Sequence, residues 1–437
     1  MVQSASDWNN KHLYKVRDQR QPVVVDTPEP DSLRGEIEPW LTALLQSEHL
    51  SLLVGSGFST AAHWLAKNTS GAGMEQLDFS VFKEQIDKSS IVSAERSGRG
   101  TANIEDQIRI CNELIRGLEI YISTNVYGSG KIRKELDKLK SELGSGLSSF
   151  ANNILLSENN IINSADNELA AECLMSFLVS FSSRSATRER LNLFTTNYDR
   201  IIEYGAELAG VRLIDRFVGS INPIFRSSRV DVDMHYNPPG IRGEPRYLEG
   251  VVHFTKLHGS LDWTAQDGVI KRFALPYGAS DIRTYSNKTE QRNLMIYPNS
   301  TKDRETAEYP YVELFRDLAA STCRPNSTVF IYGYSFGDEH INRVLIDMLS
   351  IPSTHLVIIS FDDESGRVKR FYDGVKRPAQ ISLMVGKHFG DLKTLIDNYL
   401  PKPAIDRTTI KMADLLKSRG LAQPPICLLY TSPSPRD

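Results

Sequence analysis

Short runs of apolar residues alternate along the chain with segments whose apolar residues recur every three or four positions. The runs LSLLVGSG, LNLFTTN, STVFIYGYS, THLVIISF and AQISLMVG each precede a segment of helical periodicity, and all but THLVIISF end in glycine or small polar residues. A continuous apolar run of this length is typical of a strand buried on both faces. Strands that alternate with helices predict βαβ units, a parallel sheet and right-handed crossovers. A sixth run, VVHFTKLHGS, precedes a segment that we interpret as a loop.

Between the first and second runs lies a long stretch of helical pattern with polar breaks, which predicts a helical insertion. The first 35 residues are polar and contain three prolines, which indicates an arm. Segments 215–250 and 264–290 are predicted to lie outside the sheet. We therefore divide the chain into an N-terminal arm (1–35), an α/β domain (36–75 and 191–400), a helical insertion (76–190) and a C-terminal segment (401–426).

The last eleven residues, CLLYTSPSPRD at 427–437, resemble the translation of a sequencing adaptor. We interpret them as a non-native tail and exclude them from the prediction of the fold.

The composition narrows the classes of function. With 51 basic and 54 acidic residues the net charge is −3, so the chain lacks the global field that concentrates nucleic acid or binds an anionic membrane. No apolar run approaches the roughly 20 residues of a membrane helix. The four cysteines form no C-x-x-C pair, which speaks against a structural zinc module and a disulfide framework. We expect a cytoplasmic protein without a metal.

Four clusters of small and polar residues follow strands of the predicted sheet. They are GSGFST with Gly55, Ser56, Gly57 and Ser59; TTNYD with Thr196, Asn197 and Asp199; KLHGS with His258; and YGYSFGDEHIN with Gly333, Ser335 and Asp338. Each cluster alone has a structural explanation as a turn or a helix cap. Ligands of open parallel sheets bind outside the carboxyl ends of the strands, so four such clusters predict a nucleotide site.

The strings GSGFS, TTNYD, KLHGS and GYSFGDEHIN, in this order, resemble the motif series of sirtuin-like NAD-binding proteins of bacterial anti-phage defence, closest to the sirtuin-like partner of a HerA ATPase. An IYP element at Ile296–Pro298 matches the same series, and the similarity spans roughly residues 48–400. Ser56 and Phe58 stand where small alanines are usual in the family. The resemblance implies a Rossmann-like parallel sheet with helices on both faces.

The resemblance also implies site residues. It makes Asn197 the catalytic asparagine, and Asp199 the acid near the nicotinamide. Imidazole titrates near neutral pH, so His258 suits a general base. Residues expected to bind NAD are Gly55, Ser56, Gly57, Ser59, Thr196, Asp199, Gly333, Ser335 and Asp338.

The function that these motifs predict is hydrolysis of NAD, as a substrate, to nicotinamide and ADP-ribose in anti-phage defence. Two alternatives stay open at this point. A protein deacylase would attack the same ribose carbon, but the zinc module of such enzymes needs cysteine pairs that this chain lacks. A non-catalytic sensor of NAD or ADP-ribose would need neither Asn197 nor His258. The resemblance further implies a HerA-type ATPase partner. The amphipathic helices offered by the arm, the insertion and the segment after residue 400 predict a homo-oligomer, and the composition predicts no direct contact to nucleic acid or membrane.

Overall fold

A computed structural model describes residues 8–67, 76–96, 101–124, 130–184, 188–227, 233–236, 246–266, 269–281, 292–295 and 309–401. The predicted IYP element at Ile296–Pro298, nearly all of the C-terminal segment and the adaptor-like tail lie outside the described residues.

The described residues form strands and helices that alternate through most of the chain. The strands are β1 His12–Lys15, β2 Val23–Val25, β3 His49–Val54, β4 Leu191–Thr195, β5 Arg212–Ile214, β6 Phe217–Val218, β7 Ile224–Phe225, β8 His235–Tyr236, β9 Arg246–Tyr247, β10 Val251–Lys256, β11 Gly259–Gln266, β12 Val269–Arg272, β13 Arg292–Met295, β14 Ser327–Tyr332, β15 His355–Ser360 and β16 Ile381–Val385. The helices are α1 Pro30–Leu45, α2 Ser56–Leu65, α3 Lys83–Arg96, α4 Ile104–Thr124, α5 Gly130–Ile162, α6 Asn167–Ser182, α7 Ile201–Leu208, α8 Tyr311–Thr322, α9 Glu339–Leu349, α10 Arg367–Val375, α11 Lys387–Gly390 and α12 Leu392–Asn398. A 3-10 turn spans Pro378–Gln380.

The central sheet has nine strands in the order β2-β1-β16-β15-β14-β3-β4-β10-β5. The seven strands from β16 to β5 are parallel, and β1 and β2 add an antiparallel edge. This sheet confirms the predicted α/β fold. The strand order reverses between β3 and β14, which are neighbours, and a crevice for a ligand forms at such a switch point in open α/β sheets.

Two hydrophobic cores cover the two faces of this sheet. On one face, apolar side chains of α1, α2, α6, α7 and α12 pack on alternate residues of the strands, such as Leu52 and Leu193. On the other face, α8, α9 and α10 pack on the intervening residues, such as Leu53 and Phe194. Strands buried on both faces explain the continuous apolar runs of the sequence.

The helical stretch divides between two cores. Helices α3, α4 and α5 form a separate core, which includes Ile108, Leu139 and Phe150 and is joined by residues after β4 and β12, such as Tyr198 and Leu275. Helix α6 differs from the prediction, because Leu174 and Phe177 pack in the core of the sheet and the helix serves as the crossover to β4. Periodicity alone could not separate α6 from the insertion, since both stretches are amphipathic.

Two further segments differ from expectation. Part of the predicted arm forms β1 and β2, which extend the sheet: β1 pairs with β16, and β2 pairs with β1. The segment after β10, expected to be a loop, forms β11, which pairs with β12 and β13 in a second, five-stranded sheet. Among the described helices, none combines the length and the apolar character needed to cross a membrane.

Candidate functional site

The turn between β3 and α2 packs directly against the turn that follows β14. The Gly55 N–H donates to the carbonyl of Tyr332 at 3.0 Å, and the Gly57 N–H donates to that of Gly333 at 2.9 Å. A Cβ on Gly57 would lie 2.6 Å from the Gly333 Cα, and Gly333 itself has φ of +62°. The three glycines are therefore needed for the close contact of two backbone turns at the switch point.

Asn197, Ser59 and Asp199 form a hydrogen-bonded network beside these turns. The Asn197 Nδ2 donates to the Gly55 carbonyl and to the Ser59 Oγ, both at 2.9 Å. The Ser59 hydroxyl donates to the Asp199 Oδ2 at 2.6 Å, and the Asp199 Oδ1 accepts the Ile201 N–H at the start of α7. Asp199 thus bonds to the first N–H of α7 and belongs to the polar network at once, although Arg200 is the N-cap residue of the helix.

The loop of residues 196–199 is anchored to its neighbours. The Thr195 Oγ1 donates to the Val54 carbonyl at 2.9 Å and accepts the Asn197 N–H at 3.1 Å. Lys256, only 2% exposed, donates from its ammonium group to the carbonyls of Tyr198 and Asp199. These bonds to the backbone fix the loop that carries the proposed catalytic asparagine.

His258 and Asp338 form a buried pair at the ends of β10 and β14. The distance from the His258 Nε2 to the Asp338 Oδ2 is 2.8 Å, and both side chains are 5% exposed. The Asp338 Oδ1 accepts the His340 N–H and so caps α9, as its position before that helix predicts. A carboxylate held in this way orients the imidazole.

The structure brings the network around Asn197 close to the pair of His258 and Asp338, because β4 and β10 are neighbouring strands. The ring of Tyr198, between Asn197 and Asp199, lies 6.4 Å from the ring of His258. Thr196 donates its N–H to the Val54 carbonyl, and its side chain is half-buried. Ser56 is exposed in the first turn of α2, and Ser335 is half-buried after β14. Direct contact of these residues with NAD stays a prediction.

Four buried residues near the site were not expected from the sequence. His63 lies one turn beyond Ser59 on α2, and burial lowers its pKa against the opposing effect of Asp199. Glu158 on α5 and Arg200 at the start of α7 form an ion pair. Lys256 could have been identified from the sequence, because a charged residue is unusual at the end of a buried strand. His63, Glu158 and Arg200 could not, because polar residues are common in and beside amphipathic helices.

Comparison with known families gives one match. The model of the SIR2-like domain matches residues 191–375. The match supports a sirtuin-like family. This SIR2-like region runs from β4 to α10 and contains Asn197, His258 and Asp338, whereas Gly55 and Ser59 lie outside it. SIR2-like domains bind NAD, so the match indicates NAD-related activity. No curated protein matches the chain significantly.

Among the described residues, no group of three or more histidine, cysteine or acidic side chains is placed to hold a metal ion. Cys111 and Cys173 are buried in different cores, and Cys323 is partly buried. The absence of a metal requirement stays a prediction.

Proposed function

We propose that the chain is an NAD hydrolase that cleaves the bond between nicotinamide and ribose and releases nicotinamide and ADP-ribose. The observation that carries the proposal is that two groups of polar residues lie at adjacent strand ends of the sheet, within a chain that matches the SIR2-like domain. One group is the network of Asn197, Ser59 and Asp199, and the other is the pair of His258 and Asp338.

The donors around the switch point fit NAD. The start of α2 and the hydroxyls of Ser56 and Ser335 offer positive partial charge and hydrogen-bond donors for phosphates. The amide of Asn197 and the carboxylate of Asp199 suit ribose hydroxyls and the carboxamide of nicotinamide. Asp338 is already bonded to His258, so we expect it to act on the histidine rather than on a phosphate.

The chemistry follows from NAD. Nicotinamide leaves with the electron pair of its bond to the ribose C1′, through an oxocarbenium-like state similar to that of glycoside hydrolysis. The Asp199 carboxylate stabilises the developing positive charge, and Asn197 holds a ribose hydroxyl or the attacking water. Water oxygen bonds to C1′ and its proton passes to His258. The bond between the His258 Nε2 and the Asp338 carboxylate orients the imidazole for this role.

Purified protein incubated with NAD should release nicotinamide, measured by liquid chromatography. Asn197→Ala and His258→Ala should each lower turnover by about 10²–10⁴-fold while the protein stays folded. Asn192→Ala and His253→Ala are matched controls on the same two strands, and they should keep the parent rate; His253 also bonds an aspartate, Asp233, at 3.3 Å.

Three outcomes would replace the proposal. Parent activity in folded Asn197→Ala or His258→Ala would remove the residue assignment. Consumption of NAD only in the presence of an acyl-lysine peptide would indicate the deacylase, and binding of NAD without turnover would indicate the sensor.

The cellular role that we propose is depletion of NAD in anti-phage defence, controlled by assembly. Its support is the resemblance of the motifs to sirtuin-like partners of HerA ATPases, which also suggests a HerA-type ATPase partner. The amphipathic helices outside the sheet suggest a homo-oligomer. Light scattering coupled to size-exclusion chromatography, with and without the co-expressed ATPase, tests both. A monomer that does not bind the ATPase and hydrolyses NAD at full rate alone would contradict the assembly proposal.

A further inference from the structure

Three consecutive residues of α5 bond to three separate segments around the candidate site. The Ser157 hydroxyl is hydrogen-bonded to the His63 Nε2 on α2. The Glu158 carboxylate accepts bonds from Arg200 at the start of α7, and the Asn159 side-chain amide donates to the Gly278 carbonyl in the loop after β12. Helix α5 belongs to the insertion, so a single turn of the insertion contacts three segments, and two of them, α2 and the start of α7, adjoin the network of Asn197, Ser59 and Asp199.

The central contact is the buried pair of Glu158 and Arg200. Glu158 is fully buried, and its Oε1 accepts both the backbone N–H of Arg200 at 2.7 Å and the side-chain Nε at 3.2 Å. Its Oε2 accepts a third bond from the guanidinium group. Two further guanidinium N–H groups donate to the carbonyls of Leu275 and Pro276. Charge-assisted bonds of this kind, removed from water, fix the backbone of Arg200 in one position.

Arg200 directly follows Asp199, so the pair acts on the loop that carries the proposed chemistry. The same helix also supports this loop through an apolar contact: the ring of Phe150 lies 6.1 Å from the ring of Tyr198, edge to face. Tyr198 belongs to the core of the insertion, although Asn197 and Asp199 on either side of it belong to the polar network. The loop is therefore held between the sheet and α5.

We infer that Glu158 and Arg200 are positioning residues for the proposed reaction, and that through them α5 sets the positions of Asn197 and Asp199. The inference rests on the proposed function. Neither residue needs to touch NAD, because displacement of a reacting group by about 1 Å can lower a rate by about 10²-fold. A movement of the insertion would then change turnover from outside the site.

The test compares Glu158→Gln with Glu119→Gln. Glu119 forms an ion pair with Lys140 at 2.8 Å between α4 and α5, on the exposed side of the same insertion. Steady-state kinetics with NAD at about pH 8, where most Glu158 carboxyls are ionised, should show a fall in kcat of about 10–100-fold for Glu158→Gln, with KM changed less than threefold, and parent values for Glu119→Gln. Hydrogen exchange at residues 196–202 should increase in Glu158→Gln alone. The double variant Glu158→Gln/Arg200→Gln leaves no unpaired buried charge and should lose as much activity as the single variant.

The outcomes separate this inference from the proposed function. A parent protein that releases no nicotinamide overturns the proposed function and the positioning role together. An active parent whose folded single and double variants keep its kcat and its exchange rates at 196–202 overturns only the positioning role. A Glu119→Gln variant with the same loss as Glu158→Gln would also overturn it, since the effect would then come from the insertion as a whole.

Discussion

The imidazole of His258 and the carboxylate of Asp338 meet at 2.8 Å, although 80 residues separate them in the chain. The carboxylate also caps α9, so one side chain joins a helix start to the proposed base. We expect Asp338→Asn to lower kcat for NAD cleavage by about 10²-fold, because an amide keeps the cap but no longer stabilises an imidazolium.

The matched control for this variant is Asp391→Asn. Asp391 caps α12 by accepting the Thr394 N–H at 2.8 Å, and it lies outside the candidate site. Nicotinamide release should be unchanged in this control, and both variants should melt near the parent temperature. Equal kcat in the two variants would contradict the role of Asp338.

Ser59 joins the two other polar residues of the site, since its hydroxyl accepts from Asn197 and donates to Asp199. Ser59→Ala should lower kcat by about tenfold, a loss equivalent to the ~1.4 kcal/mol of one hydrogen bond. Thr60→Ala removes a hydroxyl that bonds only to its own helix, at the Ser56 carbonyl, and should retain parent kinetics. Indistinguishable rates in the two variants would show that the bridge has no catalytic importance.

The contact of the two glycine turns can be tested through stability. Gly57→Ala should lower the free energy of unfolding by about 1–3 kcal/mol, because the new Cβ would overlap the Gly333 backbone. Gly117→Ala in α4 is the control: a Cβ there meets no atom within 4 Å, and the change should stabilise the helix by about 0.5–1 kcal/mol. Urea denaturation measures both, and a Gly57→Ala variant as stable as the parent would argue against the tight contact.

Glu158 should make stability depend on pH. Burial raises the pKa of this carboxyl from 4.5 to about 7 in the folded protein, although Arg200 acts in the opposite direction. Between these two values the folded state binds more protons than the unfolded state, so the free energy of unfolding falls as pH rises. Relative to Glu158→Gln, the parent should lose up to ~3 kcal/mol from about pH 4.5 to about pH 7, with no further change above. Parallel stability curves for the two proteins would contradict this assignment.

Removal of metal should have no effect. Dialysis against a chelator is expected to leave both the melting temperature and nicotinamide release unchanged, because the scattered cysteines do not provide a set of four ligands. Elemental analysis that finds about one equivalent of zinc would contradict this prediction and favour the deacylase.

The sequence by itself determined the α/β class and the order of the polar clusters. Strands buried on both faces must be apolar throughout, so runs such as LSLLV are visible without any knowledge of their partners. The clusters at the strand ends are also visible in the sequence, because small and polar residues follow each apolar run there. They contain Gly55, Asn197, His258 and Gly333.

Only the tertiary structure decided which of these residues meet. The bond between His258 and Asp338 forms because β10 and β14 lie in one sheet. A local sequence pattern does not determine the order in which strands pair. The role of α5 was equally hidden, because Glu158 is one polar position among many in a long amphipathic helix. Its burial, its bond to Arg200 and the separation of α6 from the insertion arise from packing between distant segments, which local periodicity does not encode.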